Sequence, residues 1–483
     1  MEPYIGQTLI FFLFKLFFFS DIWASYFMVV ALYVLNAFSV YKLAFHYTKD
    51  HRSSIIAGFF FAASCFMIST LELLNGLAFF AIPFSLLFLE RFLEKAELKQ
   101  LSYCVFFLAL EFYFSGYLFL LGAIILFIRA AFDFRRFFKA QWTVYLIGIV
   151  LFLLLVMPLA IKLFSPIMQQ AHNPVDDIPN GAQRFSLSWR SFISSLTYNP
   201  IYSSFQEWAH LTVKMDFKAN LGLTCLLLII TTLFIKAGHK WFYWLILVIF
   251  LALSFGPTIH IHQKDYLLPL GYLYKSEIFY KFFRIPGRSF VICNFAIAIL
   301  CAFAYSKLQY QFKRKNLLFV VLLFAFWIEN FGLFVKSYDH RNVVQLPSEY
   351  AYFDSLKHVV NIAELPSSLF TESGYTNDGI SEFNREFRYQ YWQAKYHHQN
   401  IINGAASYFP NSRMKNNTVI NSIQNEADLK NFIDVNQLDY VIYHHNLVIL
   451  EKESKVVPLL DEATGVGKVV HTDEISIYKI KKN

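Results

Sequence analysis

The sequence predicts an α-helical polytopic membrane protein of about ten transmembrane helices, carrying a small C-terminal α/β extracytoplasmic domain. Three observations lead there. Hydrophobic residues make up 56% of 483, with 56 Phe and 29 Tyr. A soluble domain holds roughly 45–50% apolar residues, so the excess requires a lipid-facing surface. Ten apolar runs fill the first two-thirds of the chain, approaching the ~20 residues that cross a hydrocarbon core. Lys and Arg collect in every second gap between those runs, whereas the short turns around Glu72 and Ser115 hold none.

Taken in order, residues 1–21 form a short apolar stretch interrupted by Lys15, with no basic region ahead of it. A cleavable signal peptide lacks that pattern, and an interfacial helix on the outer leaflet fits it. Spans follow at residues 22–45, 54–71, 75–89, 101–114, 117–131, 142–161, 221–235, 241–255, 290–306 and 317–335. The stretch 101–131 is too long for one crossing, and Ser115-Gly116 breaks it into a helical hairpin. The basic gaps hold Lys49 and Arg52, then Arg91, Lys95 and Lys99, then Arg135, Arg136 and Lys139. Lys236 and Lys240 fill the fourth, and Lys307, Lys313, Arg314 and Lys315 the fifth. The positive-inside rule places these gaps in the cytoplasm, and an even number of crossings then leaves both termini extracytoplasmic. The membrane domain is 22–335, with outer loops 163–220 and 257–289, and the extracytoplasmic α/β domain is 336–483. In the latter, residues 358–362, 440–443 and 475–480 read as strands and 427–435 as a helix.

Composition also excludes function classes. The net charge of +8 sits largely at helix ends, which suits anionic lipid headgroups and argues against nucleic acid. Five cysteines all fall inside apolar runs without metal-ligand spacing, as buried small hydrophobes do. There is no nucleotide-binding glycine loop, Ser/His/Asp elbow or paired Cys motif.

The strongest local signal runs from LSFGP (253–257) through LLPLGYLY to FYKFFRIPGRSF, ahead of the ninth span. Arg284 and Arg288 bracket Pro286-Gly287, with Lys281 one turn back. Two guanidinium forks at the membrane edge suit a phosphate or pyrophosphate; the plainer reading anchors a helix end among lipid phosphates. His260, His262 and Lys264 share the loop, as further phosphate ligands or as polar filler. Catalytic candidates are acids. Glu111 lies inside a span, where an ionisable group is costly unless partnered, and either acts in catalysis or holds the hairpin together. Glu72 sits at an outer turn. Asp176-Asp177 offers either a divalent-cation site or a solvated turn, and that cation is the one cofactor left open. The pairs His397-His398 and His444-His445 project in different directions and do not chelate one ion alone. Asn416-Asn417-Thr418 matches a glycosylation acceptor by chance.

LSFGP, an LP turn and R-x-P-x-R ahead of a helix together resemble bacterial membrane glycosyltransferases of the GT-C superfamily, including multi-span proteins of the YfhO type. The paired helices of residues 41–93 and the blocks VVNIAELP (359–366), YQYWQAKYHHQNIINGAASYFP (389–410) and LDYVIYHHNLV (438–448) extend the resemblance over nearly the whole chain. It implies sugar transfer from a polyprenyl-phosphate carrier to an envelope acceptor, at the outer face of a bacterial cytoplasmic membrane. It also implies a catalytic acid on the first outward loop. The sequence starts at Met1-Glu2-Pro3, about where that loop would end. The expectation is therefore a chain lacking the first span and catalytic loop, inactive or weak alone unless a partner subunit supplies the acid. The rival reading is a non-enzymatic membrane protein that binds lipid phosphates in envelope polysaccharide handling. A secondary transporter is disfavoured, because neither an internal repeat nor paired broken helices are visible.

Overall fold

The computed structural model describes residues 5–18, 20–69, 74–138, 141–168, 186–192, 219–261, 264–268, 271–273, 283, 285–331, 348–354, 356, 358–366, 389, 393, 398–402, 420, 423–447 and 455–481. Two compact units result, a helical one within Glu2–Leu163 and Asn180–Ser337 and another containing Tyr338–Asn483.

The helical unit runs α1 (Ile5–Lys15), α2 (Asp21–Thr48), α3 (His51–Ala62), α4 (Cys65–Ser69), α5 (Leu74–Leu77), α6 (Ala81–Lys95), α7 (Leu98–Phe114) and α8 (Gly116–Phe132). After the short α9 (Phe134–Phe137) come α10 (Trp142–Met168), α11 (Gly222–Phe234), α12 (Lys240–Ser254), α13 (Phe290–Leu308) and α14 (Lys315–Phe331). Among the described residues, four helical stretches are long and apolar enough to cross a membrane: Trp23–Thr48, His51–Ser69, Trp142–Ile161 and Pro286–Leu308. Shorter apolar helices accompany them, Gly116–Phe132, Gly222–Phe234 and Lys240–Ser254 among them. α13 is the hub. Every residue from Phe290 to Tyr305 is buried, and α3, α11 and α12 surround it, as befits a helix apolar on all sides. α10 instead leaves Leu146, Leu153, Leu154 and Ile161 exposed, the surface of a helix that faces lipid. All five cysteines are buried thiols.

Two expected spans are interrupted. The run 54–71 stops as α3 at Ala62 and resumes as α4 at Cys65, and the run 75–89 begins as α6 only at Ala81. Each interruption frees backbone groups that an apolar surrounding cannot solvate, and buried amides from other helices take them up. Asn36 on α2 donates to Leu77 O (2.5 Å) and accepts from Phe79 N (3.1 Å). Asn294 on α13 donates to Phe61 O (3.1 Å) and to Ser64 Oγ (2.8 Å). Asn330 on α14 accepts from Cys65 N (2.9 Å). At the hairpin break, Gln7 on α1 donates to Phe114 O at 3.0 Å. Gly6 beside it lets α1 approach, since a Cβ there would lie 2.5 Å from the Phe114 ring. α1 leaves Leu9, Phe12 and Leu13 exposed, as is Leu16 just after it.

The ends of the helices near the basic gaps are knitted together. Arg129 on α8 forks onto Glu90 on α6 (2.5 and 2.8 Å) and reaches Asp133 at 2.6 Å. Tyr47 at the end of α2 donates to Glu90 Oε1 (2.6 Å) and accepts from Tyr243 on α12 (3.1 Å). The Tyr47 ring also meets Phe303 near the end of α13, with centroids 5.8 Å apart. The fork and phenol together satisfy a carboxylate that would be costly alone.

The C-terminal unit holds α15 (Ala351–Asp354), β3 (Asn361–Leu365), β4 (Asn400–Ile401), α16 (Glu426–Val435), β5 (Tyr440–His444), α17 (Val456–Glu462), β6 (Val466–His471) and β7 (Ile475–Ile480). Its sheet has order β4-β3-β5-β7-β6, with β3 parallel to β4 and β5, and β7 antiparallel to β5 and β6. Alternation along the strands builds two layers. Ala363, Leu365, Val441 and Tyr443 pack with Leu429 and Phe432 of α16 and Leu460 of α17. Ile362, Tyr440, Ile442 and Ile477 pack with Tyr350 and Phe353 on the other face. Within that second layer Glu364 accepts from Tyr350 OH (2.8 Å) and pairs with His444 Nε2 at 2.6 Å. β3 starts at Asn361 and not at 358, because His358 and Val359 are exposed.

Replacing Asn36 by the near-isosteric Leu should strand both a carbonyl and an amide, at about 1–3 kcal/mol each. Thermal unfolding in nanodiscs should show a clear drop for Asn36→Leu; an unchanged midpoint would mean that other groups serve the break.

In the C-terminal unit, His445 Nε2 and His471 Nδ1 both meet Ser476 Oγ, at 2.9 and 2.8 Å. Burial first, then the nearby His471, Lys468 and His444, hold the His445 pKa below the ordinary 6.5. The unfolded chain then binds the extra proton first, so this contribution is present above pH ~6.5 and is lost as pH falls through the folded value. Hydrogen exchange of the β5–β7 amides in the full chain should therefore quicken on acidification beyond its intrinsic pH dependence. His445→Asn should blunt that response, and an identical acid response in the variant would contradict the assignment.

Candidate functional site: a clamped arginine turn at one end of the bundle

The site lies at the bundle end opposite the Glu90–Arg129 cluster, where α12 finishes and α13 begins. α12 stops at Ser254, and Gly256 takes φ +76° to turn the chain back. A Cβ at Gly256 would run into the Ser186 hydroxyl and come within 3.5 Å of Pro286 Cγ. The LSFGP turn and the R-x-P-x-R turn therefore sit against each other. Between them β1 (Thr258–Ile261) and β2 (Lys264–Leu267) form an antiparallel hairpin, with His260 at the register position opposite Asp265.

Pro286–Ser289 is a single 3₁₀ turn in which Pro286, Gly287 and Ser289 are buried and Arg288 is half-buried. Arg288 N donates to Ile285 O at 3.2 Å. Buried Phe283 and Phe290 flank the turn. Phe290 meets Phe66 of α4 and Phe192, with ring centroids 5.2 and 5.6 Å away. The 186–192 segment is tied in by Leu187 N to Ser254 O (2.8 Å) and by Ala219 N to Ser191 O (2.9 Å).

The hairpin between α7 and α8 closes the other side. Ser115 is extended and its hydroxyl caps α8 by accepting from Leu118 N at 3.2 Å. Tyr117 in the first turn of α8 donates to Ile285 O (3.1 Å) and bonds Ser289 Oγ (3.0 Å). Glu111, wholly buried, lies one turn before the break, and its carbonyl accepts from Ser115 N at 2.7 Å.

Of the residues expected from sequence, Arg288 and Glu111 are thus placed on elements that meet through Tyr117. Glu72, Asp176, Asp177, His262, Lys281 and Arg284 lie outside the described residues, as does the side chain of His260. Among the described residues no group of three or more His, Cys, Asp and Glu is arranged to hold a metal ion.

Sequence reasoning missed three members of this region. Tyr117 and Ser289 carry no signal in a Phe- and Tyr-rich chain. Glu329 on α14 did carry one, the same intramembrane acid that singled out Glu111. Its carboxylate accepts from Thr224 N (3.0 and 3.3 Å), over Gly222 at φ +71°, where a Cβ would strike it. Glu329 thus satisfies the first turn of α11, a favourable place for negative charge. Chemically, among the described residues the turn presents the Arg288 cation close to the hydroxyls of Tyr117 and Ser289, an arrangement suited to an anion.

Comparison with known proteins bears on the fold and not on the site residues. Residues 1–161 match the family model described as dolichyl-phosphate-mannose-protein mannosyltransferase. No curated protein matches the sequence. In fold the chain is similar to the cryo-EM structure of a mutant form of arabinofuranosyltransferase AftD from mycobacteria, with TM-score 0.55 at 12% identity. That match covers 98% of this chain but 36% of the other, so this chain spans little more than a third of that protein's length. The fold is similar to that of GT-C-type membrane glycosyltransferases, and with its long apolar helices the chain is an integral membrane protein. The resemblance to the GT-C superfamily holds, carried by residues 1–161 in sequence and by the fold over the rest of the chain.

Gly256→Ala should be poorly tolerated, because it combines a left-handed backbone with a collision against Ser186. A loss of about 1–3 kcal/mol is expected. Thermal unfolding in detergent checks this, and a wild-type midpoint would show that the two turns are not clamped.

Proposed function

We propose that this protein transfers a sugar from a polyprenyl-phosphate carrier to an envelope acceptor at the extracytoplasmic face of a bacterial membrane. The clamped turn bearing Arg288 carries the proposal: it is a guanidinium held at an apolar rim, at the end of the bundle away from the basic gaps. The positive-inside rule assigns the basic end to the cytoplasm, so Arg288 faces outward, among ten crossings with both termini outside. On this reading α1 lies on the outer leaflet and residues 336–483 work beside the membrane surface. Arg288, with Arg284, Lys281, His260 and His262, binds the carrier phosphate. Glu111 is preferred to Glu72 as the acid because its burial makes its charge more dependent on protein partners. Asp176 and Asp177 are proposed to take a divalent cation if the reaction uses one, and a partner subunit is the other source of a catalytic acid.

Arg288→Ala and Arg284→Ala should each weaken binding of a polyprenyl phosphate in nanodiscs. Loss of a charge-assisted hydrogen bond worth about 1.5–3 kcal/mol corresponds to roughly ten- to hundred-fold. Unchanged affinity in both folded variants rejects the carrier site. Tight binding without sugar transfer would favour a lipid-phosphate-binding protein over an enzyme.

A further inference from the structure

The turn that presents Arg288 has little to hold it in shape by itself. It is one 3₁₀ turn, a geometry with weak internal bonding, and Gly287 in its middle adds backbone freedom. Aromatic anchors fix the chain before and after it, at Phe283 and Phe290. Between those anchors, Tyr117 reaches over from α8 and bonds the turn at both of its ends. Its phenol has a single proton, which goes to Ile285 O. The Ser289 hydroxyl, fully buried, can then donate to the phenol oxygen. This makes a directed chain from Ser289 through Tyr117 to Ile285 that spans both ends of the turn. Tyr117 is itself fixed. The Ser115 cap sets the first turn of α8, and the Tyr117 ring stands edge-on to Phe283 at 6.0 Å.

We infer that Tyr117 is the positioning residue of the anion site, its phenol bridging Ile285 O and Ser289 Oγ so that the turn aims the Arg288 guanidinium at the ligand. The inference rests on the proposed reading that Arg288 binds a lipid-linked phosphate. Tyr117 touches the turn and not the ligand, so its effect must pass through Arg288.

The test uses the full chain in nanodiscs with farnesyl phosphate as probe, and inorganic phosphate and farnesol as its separate halves. Tyr117→Phe should raise the Kd for farnesyl phosphate by about three- to ten-fold, the scale of one hydrogen bond. Ser289→Ala should act in the same direction and serves if Tyr117→Phe fails to fold. In an Arg288→Ala background, Tyr117→Phe should have no further effect, because the two then act as one unit. Inorganic phosphate should follow farnesyl phosphate, and farnesol binding should not change. Tyr113→Phe, on the α7 arm of the same hairpin, is the matched control: it removes a 2.7 Å bond to Leu155 O of α10 and should leave the Kd alone.

If Arg288→Ala does not weaken farnesyl phosphate, the anion-site reading itself falls. If Arg288→Ala weakens it while both Tyr117→Phe and Ser289→Ala do not, only the positioning role falls. Equal weakening by Tyr113→Phe, or additive loss in the double variant, would reduce Tyr117 to general support of the fold and overturn the inference.

Discussion

A backbone carbonyl or amide released inside an apolar bundle has no water to turn to, and each one left unmet costs as much as several good packing contacts contribute. The helical unit depends on how it meets that demand. Its helices are not continuous rods: α3 breaks before α4, α5 before α6, and α7 before α8. Asn36, Asn294, Asn330 and Gln7 reach these breaks from other helices. Because each amide bonds to a partner's backbone, it also fixes the register of two helices. A bundle held by lipid-indifferent Leu and Phe contacts alone would slide; directional bonds stop it.

The same breaks create the functional end. Ser115 ends one helix and caps the next, which aims Tyr117 sideways at the arginine turn. The Ser64 break lets α4 bring Phe66 against Phe290, the first residue of α13. α13 is buried along almost its whole length, so its start cannot drift. Placing the Pro286–Ser289 turn directly on that start gives a mobile type of backbone a rigid base. Opposite it, the Glu90–Arg129 fork and Tyr47 draw the other helix ends together. One end is thereby closed by a satisfied ion pair, while the other carries a half-exposed guanidinium.

Much of this was visible in the sequence, but unevenly. Apolar runs gave the helices because length and hydropathy are local properties. The hairpin at Ser115-Gly116 was legible because a hydroxyl and a glycine interrupt Phe and Leu. The breaks at Ala63 and Ala78 were not, although Ser64 and Asn75-Gly76 stand beside them, since the side chains that satisfy them come from remote helices. The amide that serves Leu77 lies 41 residues away. In the C-terminal unit β5 and β7 are mostly apolar on their buried stretches and so legible as strands, whereas β6 is half exposed and β4 has two residues. The arginine turn stood out through Pro286-Gly287 between basic residues. Tyr117 did not, because its contact with Ile285 spans 168 residues. The structure adds that LSFGP and the arginine turn are one packed object and not merely neighbours in sequence.

The central claim is that a lipid-borne phosphate is held at this turn. A cryo-EM structure of the chain in nanodiscs with a polyprenyl phosphate tests it most directly. The account predicts phosphate density within hydrogen-bond reach of the Arg288 guanidinium, with the prenyl tail running into the bilayer. Phosphate density at the opposite end of the bundle instead, beside Arg135 and Arg136, would contradict it.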